Sequence, residues 1–351
     1  MIPSKKLLVN QLKIGMVSAK DIVLNGKILL AKDVIITDSI INKLKVNYVV
    51  DKIEVYSDND SISALTLKEK TVEEIEKDFN EFSSNLENVF DNLSTVDLPK
   101  MVEIRAFIKK VQAEFNSPGI IIKNIVFYGS KNDTIYRHSL NVTAISFILG
   151  KWLGLDERNL NLLTYSAILH DFGKSQIDED ILNKEGNLTD EEYEIFKTHP
   201  IVAYRHIEKI PYINSAVSRI ILMHHEKNDG SGYPLQAKEN QIPKLSKIIA
   251  IADLFDQVSS DRYSQKINGP FSALQAIKDE SLTKLDYTYC DTFLSHIANY
   301  YIGENVILNN KKQYKIIQID LNDLERPLLL DDNGFLDLKK EKDLYIENLV
   351  I

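Results

Sequence analysis

The 351-residue chain has a single cysteine, Cys290, so neither an internal disulfide nor a thiolate-based zinc site is available to it. That usage fits a reducing cytoplasm, and Cys290 reads as a packing residue. No run of about 18 uncharged apolar residues is present, so no transmembrane helix is expected. The longest apolar run, around Val142 to Leu149, is closed by Gly150 and Lys151. The N-terminal MIPSKKLLVNQLKIGMV has lysines but neither a sustained apolar core nor a small-residue cleavage pattern, which argues against a signal peptide. Basic charge is not in excess either: 42 Lys and Arg stand against 51 Asp and Glu, a net charge of −9. A nucleic-acid backbone is therefore an unsuitable partner, because no basic surface is in prospect to displace its counterions. A small anionic ligand would have to be attracted by charge concentrated locally. What these absences leave is a soluble chain long enough for two or three domains, each with its own core.

Histidine is also scarce, at seven residues, yet five of the seven fall with two aspartates in an ordered set: His138, His170, Asp171, His199, His224, His225 and Asp253. Imidazole nitrogen and carboxylate oxygen are accepted by divalent transition metals, and this set exceeds what one such ion takes from a protein. Two adjacent ions are the economical expectation. The local sequence places the residues near helix ends. His138 lies in DTIYRHSLNVTAISFILGKWLGL, which reads as a helix capped by Asp133. His170 and Asp171 close a second helix, DERNLNLLTYSAILHDFGK, where Gly173 lets the backbone turn away. Thr189 and Glu192 have capping-box spacing and open a third helix, which carries His199 just before Pro200. His224 and His225 close a fourth, INSAVSRIILMHH; adjacent helical residues diverge by about 100°, so both reach one cluster only near its end. Asp253 lies in the apolar helix IPKLSKIIAIADLFDQVSS, where an unpaired carboxylate is costly and a metal removes the objection. His206 and His296 match no such pattern and read as hydrogen-bonded core or surface residues. A purely structural account of the seven would need a partner for every one of them.

The flanks differ in pattern. Residues 1–65 hold short β-branched runs with Asn25-Gly26 as a hairpin-type turn, a small α+β module. Residues 66–118 form a charged helical connector with Val72, Ile75, Phe79, Phe82, Leu86 and Phe90 at helical spacing, packed on a domain or on a partner copy; a homodimer stays open. The helical domain is expected over 119–302. From 303 to 351, short strands broken at Asn309-Asn310, Arg326-Pro327 and Asp332-Asn333-Gly334 indicate a small β appendage, read as stabilising or dimerising.

From about Asp133 to Tyr263 the motifs resemble those of HD-GYP domains, the bacterial branch of the HD-type metal phosphohydrolases that cleaves cyclic dinucleotides. They are His138; His170-Asp171 followed by Gly173-Lys174; ILNKEGNLTDEE leading to THP; HHE with DGSGYP; and IADLFD. The segment GMVSAKDIVLNGKILLAKDVIIT likewise resembles modules joined to such domains. The resemblance implies a mainly α fold and hydrolysis of cyclic di-GMP to the linear dinucleotide, GMP or both, by metal-activated water in second-messenger signalling. It implies Asp171 and Lys174 as catalytic, with Asp171 bridging two ions; His138, His170 and Asp253 surround one, and His199, His224 and His225 the other. Lys174 would face the phosphate, Gly232, Tyr233 and Pro234 would shape the substrate pocket, and Arg262 would contact phosphate or base. A site without thiolate suits iron or manganese and tolerates zinc. Some members hold a third ion on a glutamate four residues before the first histidine; that position is Thr134 here, so a dinuclear site is expected.

Two departures stand out. Family members commonly continue the Asp253 helix with Asp-Ala and then Arg-Pro-Tyr-Arg, whereas this chain has Asp256-Gln257 and then Arg262-Tyr263-Ser264-Gln265, with Lys266 close by. The bulk of Gln257 is expected to narrow or reorient the pocket and to leave metal binding untouched. Two other functions remain open: a non-catalytic cyclic-dinucleotide receptor, and an HD-type hydrolase of another nucleotide phosphate ester. The complete ligand set speaks against the first and the GYP segment against the second.

Overall fold

The computed structural model describes residues 3–24, 27–30, 32, 36, 40–41, 44, 52–57, 72–93, 98–115, 118–128, 134–184, 186–210, 213–259 and 271–350. The chain divides into two compact units, one built mainly from Val72–Leu294 and the other from the N-terminal and C-terminal segments.

The first unit is helical: α1 (Val72–Leu93), α2 (Leu98–Glu114), α3 (Pro118–Tyr128), α4 (Ile135–Trp152), α5 (Glu157–Leu169), α6 (Glu179–Leu182), α7 (Asp190–Phe196), α8 (His199–Ile207), α9 (Ser215–Leu222), α10 (Lys244–Ser259) and α11 (Ser272–Glu280), with α12 (Tyr287–Tyr301) closing it. A short 3-10 turn, Phe172–Gln176, follows α5. Helix α4 is the axis of the core. Every residue from Arg137 to Gly150 is buried, polar Ser139, Asn141, Thr143 and Ser146 included, which is possible only for a helix surrounded on every side. Helices α1, α5 and α10 supply that surround. The apolar stripe of α1 (Ile75, Phe79, Phe82, Leu86, Phe90) is buried, and α1 packs on α3 and α4. Phe90 meets Phe172 edge-on at 5.4 Å, which braces the 3-10 turn beside Asp171.

Three helix boundaries differ from the sequence reading. Helix α4 is capped by Thr134, whose hydroxyl accepts the Arg137 N–H at 3.1 Å; Asp133 lies outside the described residues. The capping box at Thr189 and Glu192 opens α7 as expected, but α7 ends at Phe196 and His199 starts the next helix. The reason is Pro200, which lacks an N–H and is tolerated in a first turn rather than a last one. Helix α9 stops at Leu222 with Met223 as its cap, so His224 and His225 follow the helix instead of closing it.

In the second unit, β1 (Ser4–Leu8) pairs antiparallel with β4 (Lys52–Tyr56), and β2 (Ile22–Leu24) with β3 (Lys27–Leu30). Leu12, Leu30, Ile36, Ile41, Leu44, Ile53 and Val55 form the small core of this module. The Asn25-Gly26 turn lies outside the described residues. The C-terminal strands β5 (Asn305–Leu308), β6 (Gln313–Asp320), β7 (Asp323–Asp331), β8 (Gly334–Asp337) and β9 (Ile346–Val350) form one sheet in the order β8-β7-β6-β5-β9. Arg326-Pro327 does not break it but lies inside β7. The β6–β7 register shifts between Gln318 and Asp320, opposite Pro327, and such an irregularity accommodates a residue with no N–H to donate. No described helix is long and apolar enough to cross a membrane.

Candidate metal centre

Five chain segments bring the seven predicted residues together. His138 projects from the first turn of α4, His170 is the last-turn cap of α5 with Asp171 next to it, and His199 starts α8. His224 and His225 follow the α9 cap, and Asp253 comes from the middle of α10. Close backbone approach explains two glycines. A Cβ on Gly173 would collide with the His199 carbonyl, and one on Gly232 with the His225 carbonyl and the Lys227 N–H. The first lets the 3-10 turn press onto α8; the second lets the GYP loop press onto the histidine doublet.

Asp171 is at the centre, fully buried, and its two oxygens face different rings. Oδ2 lies 3.3 Å from His138 Nε2 and 3.4 Å from His170 Nε2, whereas Oδ1 lies 3.4 Å from His199 Nε2 and 4.0 Å from His224 Nε2. Two sets of donor atoms result, Asp171 with His138 and His170, and Asp171 with His199, His224 and His225, each able to hold an ion. Asp253 adjoins both, with Oδ1 3.0 Å from His138 Nε2 and Oδ2 3.6 Å from His225 Nδ1.

The rings are wired for ligation. Nδ1 of His170, His199 and His224 lies 2.7, 2.8 and 2.6 Å from the carbonyls of Ala167, Phe196 and Ile221. A carbonyl only accepts, so each of these rings carries its hydrogen on Nδ1 and aims the Nε2 lone pair inward. The Nε2 atoms of His170, His199, His224 and His225, together with Asp171 Oδ1, are buried and have no hydrogen-bond partner. Buried polar atoms are rarely left so, and donor atoms falling into two sets that share Asp171 fit a pair of cations.

Electrostatics agree. Burial lowers the pKa of His170 to about 3, with His224 and His138 adding to the effect. Burial first, and then the neighbouring His224 and Lys174, hold His199 and His225 well below the ordinary range; burial also lowers His224. These four rings are neutral at pH 7, the state a metal requires. His138 runs the other way: burial would lower it, but Asp171, Asp253 and Asp256 outweigh burial and raise it. For Asp171, burial would raise the pKa, but His170, Lys174 and His138 hold it well below the ordinary carboxylate range. Asp253 is depressed in the same way by His138 and His225.

Asp256 and Glu226 stand inside the IADLFD and HHE motifs without a role assigned from the sequence, and Asn141 stands in none. Asp256 binds His138 Nδ1 at 2.7 Å and accepts from Asn141 at 2.8 Å. Glu226 accepts the N–H groups of Leu235 and Ala237 at 2.6 and 2.8 Å, which ties the far side of the GYP loop to the doublet. Tyr233 stacks on His225, centroids 4.7 Å apart, and its peptide bond to Pro234 is cis. The Lys174 ammonium is buried and donates to Asp171 Oδ2 at 2.6 Å. Gln257 donates to Asp253 Oδ1 at 2.6 Å, so this departure contacts one of the candidate ligands. Arg262, Tyr263 and Lys266 lie outside the described residues.

Residues 122–289 match the family model of the HD domain. A cyclic di-GMP phosphodiesterase of Thermotoga maritima is 39% identical over 131 residues, 36% of this chain and 35% of that protein. A 3'3'-cGAMP-specific phosphodiesterase of Vibrio cholerae is 30% identical over 191 residues, 54% of this chain and 43% of that protein. The matches thus span less than half the length of either relative. A solved structure of an HDG"Y"P protein from Bdellovibrio bacteriovorus superposes with a TM-score of 0.55 at 17% identity, over 84% of this chain and 99% of that one, a likeness of fold.

Proposed function

Over residues 122–289 this chain is an HD domain of the HD-GYP branch, and from that premise we propose that it is a metal-dependent phosphodiesterase acting on cyclic di-GMP. The observation that carries the reading is the pair of donor sets that share Asp171, whose buried His170, His199, His224 and His225 Nε2 atoms and Asp171 Oδ1 have no hydrogen-bond partner. His138, His170, Asp171 and Asp253 would hold one divalent ion, and His199, His224, His225 and Asp171 the other. When bound, two such ions supply an activated water and positive charge toward a phosphodiester. Iron or manganese suits this oxygen and nitrogen donor set.

The chain's own residues do the rest. Asp171 spans the two sets because its oxygens already point to different rings, and Lys174 fixes that carboxylate by taking Oδ2. The Lys174 ammonium also places a buried positive charge next to the site, where low polarity strengthens its pull on phosphate oxygens. Tyr233, stacked on His225, offers a ring face and a hydroxyl at the rim for a nucleobase or a phosphate oxygen. Glu226 keeps the GYP loop in register with the doublet, so Gly232, Tyr233 and Pro234 form a pocket wall that moves with the metal ligands.

Substrate profiling of the metal-replete protein tests this reading. Cyclic di-GMP, 3'3'-cGAMP and simple nucleoside phosphates are each offered, with turnover and binding measured side by side. Preferential hydrolysis of cyclic di-GMP is expected. Tight binding without turnover would instead mark a receptor, and preference for a nucleoside phosphate would mark a different HD-type hydrolase.

A further inference from the structure

Arg137 precedes His138 in α4 and points away from the cluster, since neighbouring helical residues diverge by about 100°. It is 2% exposed. A buried guanidinium needs partners for five N–H groups, and all five are engaged. Nε donates to Asn141 Oδ1 at 3.1 Å; Nη1 to Glu76 Oε1 at 3.2 Å and Asn80 Oδ1 at 3.4 Å; Nη2 to Glu76 Oε2 at 2.8 Å and Asn124 Oδ1 at 3.0 Å. The guanidinium also lies 4.8 Å from the Phe79 ring centre. Glu76, Phe79 and Asn80 all belong to α1.

We propose that Glu76 and Arg137 are positioning residues for His138, acting through Asn141 and Asp256. Because Arg137 Nε takes the Asn141 amide oxygen, the amide nitrogen must point the other way, and it donates to Asp256 Oδ1 at 2.8 Å. The other oxygen of Asp256, Oδ2, lies 2.7 Å from His138 Nδ1. A carboxylate held at both oxygens cannot swing, so the His138 ring plane is set with Nε2 toward Asp171 and Asp253. His138 needs this arrangement in a way that three other rings do not. His170, His199 and His224 each anchor Nδ1 on a backbone carbonyl three residues earlier, so their own chain orients them. His138 is oriented by side chains from α1, α4 and α10, and its geometry therefore depends on how α1 is seated.

The competing reading is that the Glu76–Arg137 cluster only fastens α1 to α4. Metal affinity separates the two. The probe is manganese(II), titrated into the full-length metal-stripped chain against a chelator of known affinity, with the thermal midpoint measured in parallel. Asp256→Asn is expected to weaken manganese binding by about 10- to 100-fold, as outer partners of ligating histidines do. Glu76→Gln, which keeps the side-chain volume, is expected to weaken it by about 2- to 30-fold. The double variant should bind no more weakly than Asp256→Asn alone, because both act along one path. Asn141→Ala cuts the path in the middle while leaving Arg137 on Glu76, and should reproduce the loss even if Glu76→Gln folds poorly. Unchanged affinity in both Glu76→Gln and Asn141→Ala, with only the thermal midpoint moving, would overturn the inference, as would losses that multiply in the double variant. The inference rests on reading the cluster as a metal centre. Failure of the unaltered chain to take up manganese would overturn that reading and this one with it, whereas uptake undiminished in the variants overturns the relay alone.

Discussion

Stripping the metals and lowering the pH from about 6.5 to about 5 should sharply destabilise this protein, and the size of the loss follows from its buried rings. In the unfolded chain a histidine titrates near 6.5. Folded His170 titrates at about 3, and His199 and His225 well below the ordinary value. Across this window each of the three takes up a proton when unfolded that it refuses when folded. Stability is therefore lost as pH falls from the unfolded pKa toward the folded one. At pH 5 His170 costs roughly 2 kcal/mol relative to pH 6.5, and His199, His225 and His224, shifted in the same direction, add to the loss. The other shifted groups of the cluster are silent here. His138 has a raised pKa, so its contribution is fully present below about 6.5 and is lost only as pH rises above that. Asp171 and Asp253 are depressed, so theirs is in place above about 3.9 and lost only in stronger acid. Against a typical total of about 5–15 kcal/mol the loss is appreciable, and Tm should fall by several degrees. Calorimetry of the chelator-treated protein at both pH values measures it, with the metal-loaded protein as control, since bound ions withdraw the lone pairs from titration. A Tm of the metal-free protein that moves by only a degree or two would refute the account of four neutral, metal-ready imidazoles.

Three further outcomes follow. Asp171→Ala should abolish turnover and leave the protein unable to retain two ions; it also removes the carboxylate from the buried Lys174 ammonium, so stability should fall by about 3–5 kcal/mol, as for a broken buried pair, and Tm with it. Elemental analysis and a thermal scan check both, and a metal-replete, active variant would contradict the bridging role. Glu226→Ala releases the N–H groups of Leu235 and Ala237 and should raise KM at least about tenfold, with the metal content unchanged, because the loop wall is loosened rather than the ligand set; steady-state kinetics beside metal analysis would show it, and an unchanged KM would count against the loop as a pocket wall. Thr134→Glu should be the substitution that adds a third ion, at the expense of the α4 cap and about 1 kcal/mol of stability; metal counting on the unaltered chain should find two, and three tightly held there would contradict the dinuclear reading.

The candidate ligand set was legible because metal chemistry restricts residue type, and the helices that carry it have strong apolar periodicity. Helix ends were less legible. Asp133 and Thr134 are adjacent acceptable caps, and only the structure places the Thr134 hydroxyl on the Arg137 N–H. The Pro200 signal was present, but it was read as the end of one helix although proline equally permits the start of another. The contacts of the supporting residues were not readable, although Asp256 and Glu226 lie inside quoted motifs, for a different reason. Asp256 and Asn141 meet across a sequence separation of 115 residues, and Glu226 acts on backbone N–H groups, so neither pattern has a period or a composition to detect. Likewise, the charge-rich 66–118 segment hid how its apolar stripe at Ile75, Phe79, Phe82, Leu86 and Phe90 is buried and which helices α1 packs on. Gln257 was seen as a change of bulk, whereas its consequence is a hydrogen bond to Asp253, which periodicity cannot report.

The most direct test of the central claim is a stepwise reload. Chelator-stripped protein is returned to anaerobic solution with iron or manganese in fractions of an equivalent, and hydrolysis of cyclic di-GMP is followed at each step by chromatography of the products. The account predicts no turnover without metal and a rate that climbs to a plateau at two ions per chain. Cyclic di-GMP that is bound but never cleaved at any loading, or full activity in the stripped protein, would contradict it.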